Sequence, residues 1–478
     1  MLPSRFLVLS LLGSLLILSA PSTAPPPLTD EIEDLLQRWD VDEAFWGIAV
    51  YDLEAEEMIY SRNAERSFLP ASNQKLITTA TALDVLGSTH RYETVLHFNG
   101  SAEGSVMKGD LTLEGSGDPT LGSLEVGGND PLRTWSERLA EMGIERIEGR
   151  LIGDDNAFDD QPYPEGWTVN YITNQKGRYI GHSAGGLSYR DNVVPVTVRA
   201  TSPGSPPQVD LQPEGVLAID NQAVTSSRWR GSTLQIQRTF STNELVLTGS
   251  VARSYAGSIA IPVSNPTTFT LSIFEDRLQA AGIETDLERI DIDDLEERPE
   301  RGEPLFVEYS QPLAEITSIM NKESNNFYAE QIFRSYGWGG SARGAGRRSE
   351  SFLQRAGIDT RKLLIKDGSG LSRKDLLTPQ AVVSLLDHMT DHEEREAFLA
   401  SLPRGGERNT TLDYRLSQVP VQAKTGSLQF VRALSGYTER PNGNRVAFSV
   451  FANNYTGPSY RISRTIDDIV RAVASTDT

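Results

Sequence analysis

The spacing of apolar residues predicts an α/β segment at each end of the chain. Near the start, apolar residues recur at helical intervals between positions 32 and 39, and two strand-like runs follow at 46–51 and 57–60. In the C-terminal part, helical spacing returns at 313–320 and 327–334. Three apolar runs then predict strands, and a last periodic stretch predicts a closing helix: 419–426, 433–437, 445–451 and 466–473.

The residues between these two segments have a different character. Short alternating runs separated by turn residues predict strands at 92–98, 110–114, 147–152, 193–199, 233–237 and 244–251. Helices are expected at 130–142 and 268–281, and the Ser-, Gly- and Pro-rich cluster at 202–207 is typical of a linker. The pattern therefore predicts an α/β protein of several domains that contains a β-rich insertion.

The insertion is expected to split one domain into two halves. The split domain would combine 28–90 with 300–478, and the inserted domain would combine 91–192 with 255–299. Residues 193–254 are predicted to form a small β domain nested within the insertion. The alternative is one irregular inserted domain with long loops.

Residues 1–24 have the pattern of an export signal. Arg5 is the single basic residue of a short leader, and the apolar run at 6–18 is short for a membrane span. Small residues at Ala20 and Ala24 offer cleavage points, but a proline follows each of them. We expect a periplasmic protein whose leader is cleaved, the alternative being a retained anchor that keeps the protein in peripheral contact with the membrane.

Composition narrows the classes of function. The chain has 478 residues and a net charge of −20, which argues against nucleic-acid binding because that function requires a basic face. It contains no cysteine, so disulfides and a cysteine-linked lipid anchor are both excluded. The five histidines lack the spacing of metal ligands. We expect neither a metal nor a cofactor.

The first candidate motif is S-x-x-K at 72–75. An apolar helix follows it and ends at Gly87, so Ser72 is expected near the helix N-terminus with Lys75 one turn later on the same face. A serine hydroxyl needs a base to become a nucleophile, and Lys75 can be that base if burial or a second cation lowers its pKa. The alternative is a helix-capping serine followed by a surface lysine.

The second motif is S-x-N at 324–326, which is expected on a loop between two helices. Ser324 could pass a proton to a leaving amine, and Asn326 could position Lys75 or a substrate amide. The alternative is ordinary turn chemistry, because Ser and Asn commonly begin helices.

The third motif is K-T-G at the end of a predicted strand. Lys424 and Thr425 could bind a carboxylate, and Lys424 could also lower the pKa of Lys75. Gly426 would let a substrate backbone approach closely. The backbone N–H of Ser427 could join that of the serine nucleophile in an oxyanion hole.

In this order, the three motifs resemble those of the D-alanyl-D-alanine carboxypeptidase/endopeptidase family of low-molecular-mass class C penicillin-binding proteins, peptidase family S13. The resemblance covers nearly the whole mature chain. It rests on the following segments: 70–75, 115–119, 153–158, 324–326, 367–373 and 424–429.

The resemblance implies a split penicillin-binding, β-lactamase-like transpeptidase domain with an inserted β-rich domain. It implies hydrolysis of D-Ala–D-Ala ends and of D-Ala–diaminopimelate cross-links in peptidoglycan through an acyl-serine intermediate, with β-lactams as acylating inhibitors. It also implies that Asp154, Arg373 and Gln429 contact the diaminopimelate side chain. The alternatives are a β-lactamase of the same fold and a non-catalytic wall-binding protein. The oligomeric state is not predicted.

Overall fold

The computed structural model describes residues 27–173, 181–212, 215–240 and 242–476. The predicted export signal lies outside these residues. The α-helices are α1 (Leu28–Leu36), α2 (Gln74–Leu86), α3 (Pro131–Glu141), α4 (Val169–Thr173), α5 (Pro266–Ala280), α6 (Leu313–Glu323), α7 (Asn326–Ser335), α8 (Ala342–Arg355), α9 (Pro379–Thr390), α10 (Arg395–Ser401) and α11 (Ser459–Ser475).

The strands fall into separate sheets, which are described below. They are β1 (Phe45–Asp52), β2 (Glu57–Arg62), β3 (Glu93–Glu103), β4 (Val106–Gly115), β5 (Arg146–Asp154), β6 (Val193–Arg199), β7 (Gln208–Leu211), β8 (Ala218–Asn221), β9 (Val224–Thr225), β10 (Gln235–Arg238), β11 (Glu244–Thr248), β12 (Ser250–Val251), β13 (Ala256–Pro262), β14 (Glu284–Asp291), β15 (Glu303–Tyr309), β16 (Val421–Leu428), β17 (Val431–Glu439) and β18 (Arg445–Asn453).

The two ends of the chain meet in one antiparallel sheet, whose order is β16–β17–β18–β1–β2. Ile48 and Val50 pack on the side of α1 and α11, whereas Ala49 packs on the side of α2 and α6 to α9. Because helices cover both faces, the central strands are apolar at nearly every position. The K-T-G strand β16 lies at the edge of this sheet.

A second sheet, of order β14–β5–β4–β3–β15, belongs to the middle of the chain. Strands β4, β5 and β14 run parallel, and β3 runs antiparallel to both of its neighbours. Trp135 of α3 and Phe274 of α5 pack with Leu111 and Leu151 in its core. The predicted α/β class is therefore confirmed.

Among the described residues of the insertion, three further small sheets are present. Two strand pairings bear on the predicted domain boundaries. Strand β13 pairs along its length with β6, although it follows residue 254. Strand β15 pairs with β3 of the second sheet, although it follows residue 300. We therefore propose that the nested and inserted units extend to about residues 262 and 309.

The first helix differs from its predicted extent. It ends at Leu36, and Trp39 lies beyond it with 80% of its surface exposed. Trp39 stacks with the guanidinium of Arg461 instead of entering the core. Among the described residues, no helix combines the length and apolar composition that crossing a bilayer requires.

Candidate active site

Ser72 lies in a short 3₁₀ turn, 71–73, that leads directly into α2. The turn begins with Ala71 at φ +48°, a left-handed conformation that is unusual for a residue with a Cβ. Strand β16 lies against this turn, because a Cβ added to Gly426 would come within 2.8 Å of the carbonyl oxygen of Pro70. The absence of a side chain at Gly426 thus makes room for the Pro70 carbonyl, and the approach of a substrate backbone there stays a prediction.

Asn73 joins the first motif to the third. Its side-chain Nδ2 donates a 2.7 Å hydrogen bond to the backbone oxygen of Lys424, and its Oδ1 accepts a 2.8 Å bond from the hydroxyl of Ser435. All three groups are buried. The bonds fix the position of β16 relative to the Ser72 turn.

Lys75 is fully buried beside Ser72. Its Nζ donates to the Oγ of Ser72 at 3.2 Å, to the Oδ1 of Asn326 at 2.8 Å and to the backbone oxygen of Ser369 at 2.7 Å. Three acceptors match the three protons of an ammonium group. The structure therefore brings the first and second motifs into direct contact.

Burial changes the acid–base behaviour of Lys75. Loss of solvation lowers the pKa of its amine to about 7, although the charges of Asp367 and Glu330 act in the opposite direction. Glu330 is itself buried, which raises its pKa to about 7, and it forms a 2.9 Å ion pair with Arg334. At neutral pH, a substantial fraction of Lys75 is therefore uncharged and able to accept a proton.

Lys424 links the third motif to the second. Its Nζ donates to the Oγ of Ser324 at 2.9 Å and to the backbone oxygen of Thr425 at 3.0 Å. Ser324 caps the C-terminus of α6 with φ +62°, which turns the chain sharply before α7. Burial and the neighbouring charge of Lys75 hold the pKa of Lys424 well below its usual range.

The loop that begins at Asp367 supports Lys75, a contact that the sequence does not predict for Asp367 or Ser369. The carboxylate of Asp367 accepts hydrogen bonds from the backbone N–H groups of Gly370 and Ser372, at 2.6 and 3.0 Å. It also accepts bonds from the Ser369 hydroxyl and from the indole N–H of Trp167, at 2.9 and 2.6 Å. These bonds hold the Ser369 carbonyl against Lys75. The Asp-Gly-Ser-Gly run is a recognisable turn signal. Nothing in the local sequence shows that this turn packs against Lys75.

The motifs open onto one cleft of about 990 Å³. The following members of the motifs line it: Ser72, Ser324, Asn326, Thr425, Gly426 and Ser427. Because β16 is an edge strand, alternate backbone groups along it point away from β17. A peptide lying in the cleft can therefore pair with β16 beside the Ser72 hydroxyl.

Of the three residues expected at the diaminopimelate side chain, two are in contact and Asp154 is bonded elsewhere. The guanidinium of Arg373 donates to the backbone oxygen of Gln429 at 3.3 Å, so these two meet at the turn after β16. Asp154 ends β5 and is 2% exposed, and its carboxylate pairs with Arg301 at 2.5 Å. No hydrogen bond or ion pair joins Asp154 to either residue within the described chain. Its part in substrate binding stays a prediction.

Asp155, Asp291 and Asp293 form a group of carboxylates that could ligate a cation. They lie near the ends of β5 and β14 and do not line the cleft. The hydroxyl of Thr267 already donates to Asp155, and burial raises the pKa of Asp155 to about 6. The group therefore lies apart from the residues that line the cleft.

Comparison with known proteins places this site in a family. The sequence model of the D-Ala-D-Ala carboxypeptidase 3 (S13) family matches residues 28–475. A D-alanyl-D-alanine carboxypeptidase of an Actinomadura species is 33% identical over 453 residues, which cover 90% of this chain and 82% of that protein. The D-alanyl-D-alanine carboxypeptidase DacB of Haemophilus influenzae is 26% identical over 458 residues, which cover 93% of this chain and 92% of that protein.

The fold agrees with this match. The crystal structure of penicillin binding protein 4 (dacB) from Haemophilus influenzae superposes on the chain with a TM-score of 0.79, at 24% identity. The superposition covers 93% of this chain and 99% of that one. The family match spans nearly the whole described chain, and the family that the motifs resemble is confirmed: the chain belongs to the D-Ala-D-Ala carboxypeptidase 3 (S13) family.

Proposed function

We propose that this protein is a serine-type D-Ala-D-Ala carboxypeptidase that also acts as a DD-endopeptidase on peptidoglycan cross-links. The observation that carries the proposal is the 3.2 Å contact between Lys75 Nζ and Ser72 Oγ, combined with a Lys75 pKa of about 7. A lysine with an ordinary pKa would keep its proton at neutral pH and could not serve as a base. The names of the relatives support the same activity.

Acylation begins with proton transfer to Lys75. The uncharged amine takes the proton of the Ser72 hydroxyl as Oγ attacks the carbonyl carbon of the penultimate D-Ala. Negative charge develops on the carbonyl oxygen, and the backbone N–H groups of Ser72 and Ser427 are proposed to stabilise it. Asn326, bonded to Lys75 at 2.8 Å, keeps the amine directed at Ser72.

Collapse of the tetrahedral intermediate breaks the C–N bond, and the departing nitrogen needs a proton. Ser324 is proposed to deliver one, because its hydroxyl lies at the mouth of the cleft and contacts the Lys424 amine at 2.9 Å. The step balances when the Ser324 oxygen takes up the proton that Lys75 received from Ser72, so the net transfer is from the Ser72 hydroxyl to the leaving amine. The product is an ester between Ser72 and the shortened stem peptide.

Deacylation repeats the chemistry with water in place of the amine. Lys75 takes a proton from water as the oxygen attacks the ester carbonyl, and Ser72 leaves with a proton returned by Lys75. The shortened peptide is released with a new carboxylate. The proposed cycle uses side chains, the backbone N–H groups of Ser72 and Ser427, and water.

The substrate's terminal carboxylate is proposed to bind at the K-T-G strand. Thr425 lines the cleft, and the amine of Lys424 lies buried behind it, where a bound carboxylate would favour its charged form. A penicillin carries a carboxylate next to its reactive amide, so the same contacts would direct a β-lactam to Ser72. Penicillins should therefore act as acylating inhibitors.

The diaminopimelate side chain of the acyl group is proposed to lie near Arg373 and Gln429, beyond the end of β16. Asp154 is proposed to act at the same end of the substrate. We further propose that the protein works in the periplasm, because the pattern of residues 1–24 is that of an export signal. Cell fractionation with an antibody to the mature chain tests that location.

The activity is tested by digesting purified peptidoglycan and identifying the released muropeptides by mass. The proposal predicts loss of terminal D-Ala from pentapeptides and separation of cross-linked dimers into monomers. A Ser72→Ala variant is the matched control and should release neither product. Intact pentapeptides and dimers after digestion by the wild-type protein would refute the proposal. Rapid turnover of penicillin, without either product, would support a β-lactamase instead.

A further inference from the structure

The cleft continues past the three motifs to the N-terminal part of α11. On that side it is lined by Tyr460, Arg464 and Asp467 of α11, together with Arg415 and Arg432. Nothing in the acyl-transfer mechanism uses these groups. In a protein whose net charge is −20, three arginines on one wall of a cleft are an unusual local concentration of positive charge.

Two carboxyl groups of the described residues line the cleft, Asp467 and Glu323, and they do not neutralise all of that charge. Burial and the neighbouring Glu125 raise the pKa of Glu323 to about 7. Asp467 is buried, and Arg415 donates to both of its oxygens, at 3.2 and 2.7 Å. Arg464 is exposed to the cleft, and within the described chain no carboxylate pairs with it. One full positive charge thus remains available to a ligand in the cleft.

Arg432 adds a second available guanidinium. Its Nη1 donates to the backbone oxygens of Leu428 and Val431, at 2.9 and 2.7 Å, which holds the side chain against the β16–β17 turn. No carboxylate of the described residues forms an ion pair with it. A guanidinium has five N–H donors, so others remain for an anion. Because its position is fixed beforehand, it would lose little entropy on binding.

The arginines lie on the side of the leaving group. Side chains alternate along β16, and Ala423 packs in the same cluster as Ile466 of α11. Thr425 therefore points to the α11 side of the sheet, and Ser427 does too, opposite Arg432 on β17. The carboxylate proposed to bind Thr425 belongs to the residue that departs. The rest of a large leaving group would extend along this wall.

The two proposed substrates, a D-Ala-D-Ala end and a cross-link, differ in the size and charge of the leaving group. Free D-Ala has one carboxylate, which Thr425 and Lys424 are proposed to hold. A cross-linked substrate releases a whole stem peptide, which carries that carboxylate and others farther along the strand. Guanidinium groups are well matched to such carboxylates.

We propose that Arg464 and Arg432 form a second anion-binding position that holds distal carboxylates of a peptide leaving strand. The position favours cleavage of cross-links over release of single D-Ala residues. The inference rests on the proposed function and specifies the substrate at the same site.

The test compares three substrates: a monomeric pentapeptide, a cross-linked dimer, and the same dimer with the distal carboxylates of its leaving strand amidated. Arg464→Gln should lower kcat/KM for the unmodified dimer by about tenfold, the scale of a lost hydrogen bond to a charged group. Its kcat/KM for the pentapeptide and its acylation by penicillin should stay at the wild-type values. Arg464→Gln should cleave both dimers at the same rate, whereas the wild-type protein should cleave the amidated one more slowly.

Arg471→Gln is the matched control, because it makes the same change of charge farther along α11, where Arg471 pairs with Asp468. It should behave as the wild type does. Equal loss on dimer and pentapeptide in Arg464→Gln, or no loss on the dimer, would overturn the inference. A wild-type protein that releases D-Ala but leaves dimers intact would overturn it and retain the carboxypeptidase activity. A wild-type protein inactive on all three substrates would overturn the proposed function as well.

Discussion

The side-chain amide of Asn73 donates a 2.7 Å hydrogen bond to the backbone oxygen of Lys424, which lies 351 residues farther along the chain. Through this bond, the turn that holds Ser72 is joined to the strand proposed to bind the substrate carboxylate. Both partners are buried, so the bond is shielded from competing water. The geometry of the cleft therefore depends on a residue inside the S-x-x-K motif that has no chemical role of its own.

Asn73→Ala should slow acylation by penicillin and lower the stability of the protein. Loss of the amide leaves the Lys424 carbonyl without its partner, which costs about 1–3 kcal/mol for a buried group. The free energy of unfolding and the acylation rate are the two measurements. Ser435→Ala is the control, because it removes the bond to Asn73 Oδ1 and keeps the bond to Lys424. If Ser435→Ala slows acylation as much as Asn73→Ala does, loss of the hydrogen bond between Asn73 and Lys424 is not the cause.

The charges around Lys75 predict two pH shifts of opposite sign. A carboxylate stabilises the charged amine and raises its pKa, so Glu330→Gln should lower the pKa of Lys75. In a plot of acylation rate against pH, the acid limb should then move to lower pH, by roughly half to one unit. Lys75 lowers the pKa of Lys424, and the interaction between two amines is reciprocal, so Lys424→Ala should raise the pKa of Lys75 and move the limb to higher pH.

The measurement is the rate of penicillin acylation against pH for the wild type and both variants. For the wild type, the rate should rise with pH through about 7, because the uncharged form of Lys75 is the active one. Glu275→Gln changes an ion-paired glutamate outside the cleft and should leave the limb in place. Shifts of the same sign in Glu330→Gln and Lys424→Ala would contradict the electrostatic account.

Thr425→Val removes one hydroxyl at nearly constant volume. It should weaken acylation by a penicillin with a free carboxylate by about 1.5–3 kcal/mol, the scale of a hydrogen bond to a charged group. A penicillin whose carboxylate is esterified should be affected much less, because it lacks the charged acceptor. Acylation rates with both compounds check this. Equal sensitivity of the two would exclude Thr425 as a carboxylate ligand.

Asp154→Ala should reduce cleavage of cross-linked muropeptides more than it reduces acylation by penicillin, because a small β-lactam does not extend to that region. Loss of the ion pair with the half-exposed Arg301 should cost only about 1 kcal/mol of stability. Arg301→Gln separates the two explanations. If it reproduces the muropeptide defect, Asp154 acts by holding Arg301 and the local structure rather than by touching substrate.

The local parts of the site could be predicted from the sequence. A serine at a helix start, a serine on a turn between helices and a lysine on an apolar strand each have a clear local pattern, and each lies where that pattern indicates. The long-range partners could not be predicted in this way. Asp367 and Ser369 support Lys75 from almost 300 residues away, and no local pattern specifies which loop packs beneath a helix.

Contacts with distant parts of the chain, which local patterns do not reveal, also account for the following features. The predicted domain boundaries place residues 256–262 outside the nested unit and 303–309 outside the inserted one, whereas these strands pair with the distant strands β6 and β3. The boundaries stay predictions. Periodicity suggested that Trp39 belongs to the first helix, but the helix ends before it. Burial of Asp154 against Arg301 depends on a partner that follows a long insertion.

The central claim is that Ser72 is acylated with Lys75 as its base, and mapping the penicillin adduct tests it most directly. The protein is treated with penicillin at neutral pH, digested, and the modified peptide identified by mass, with the acylation rate measured in parallel. The account predicts a single adduct on Ser72, none in Ser72→Ala, and a rate in Lys75→Arg reduced by about 10² or more, because arginine keeps its proton. An adduct on another residue, or a Lys75→Arg rate close to that of the wild type, would contradict the account.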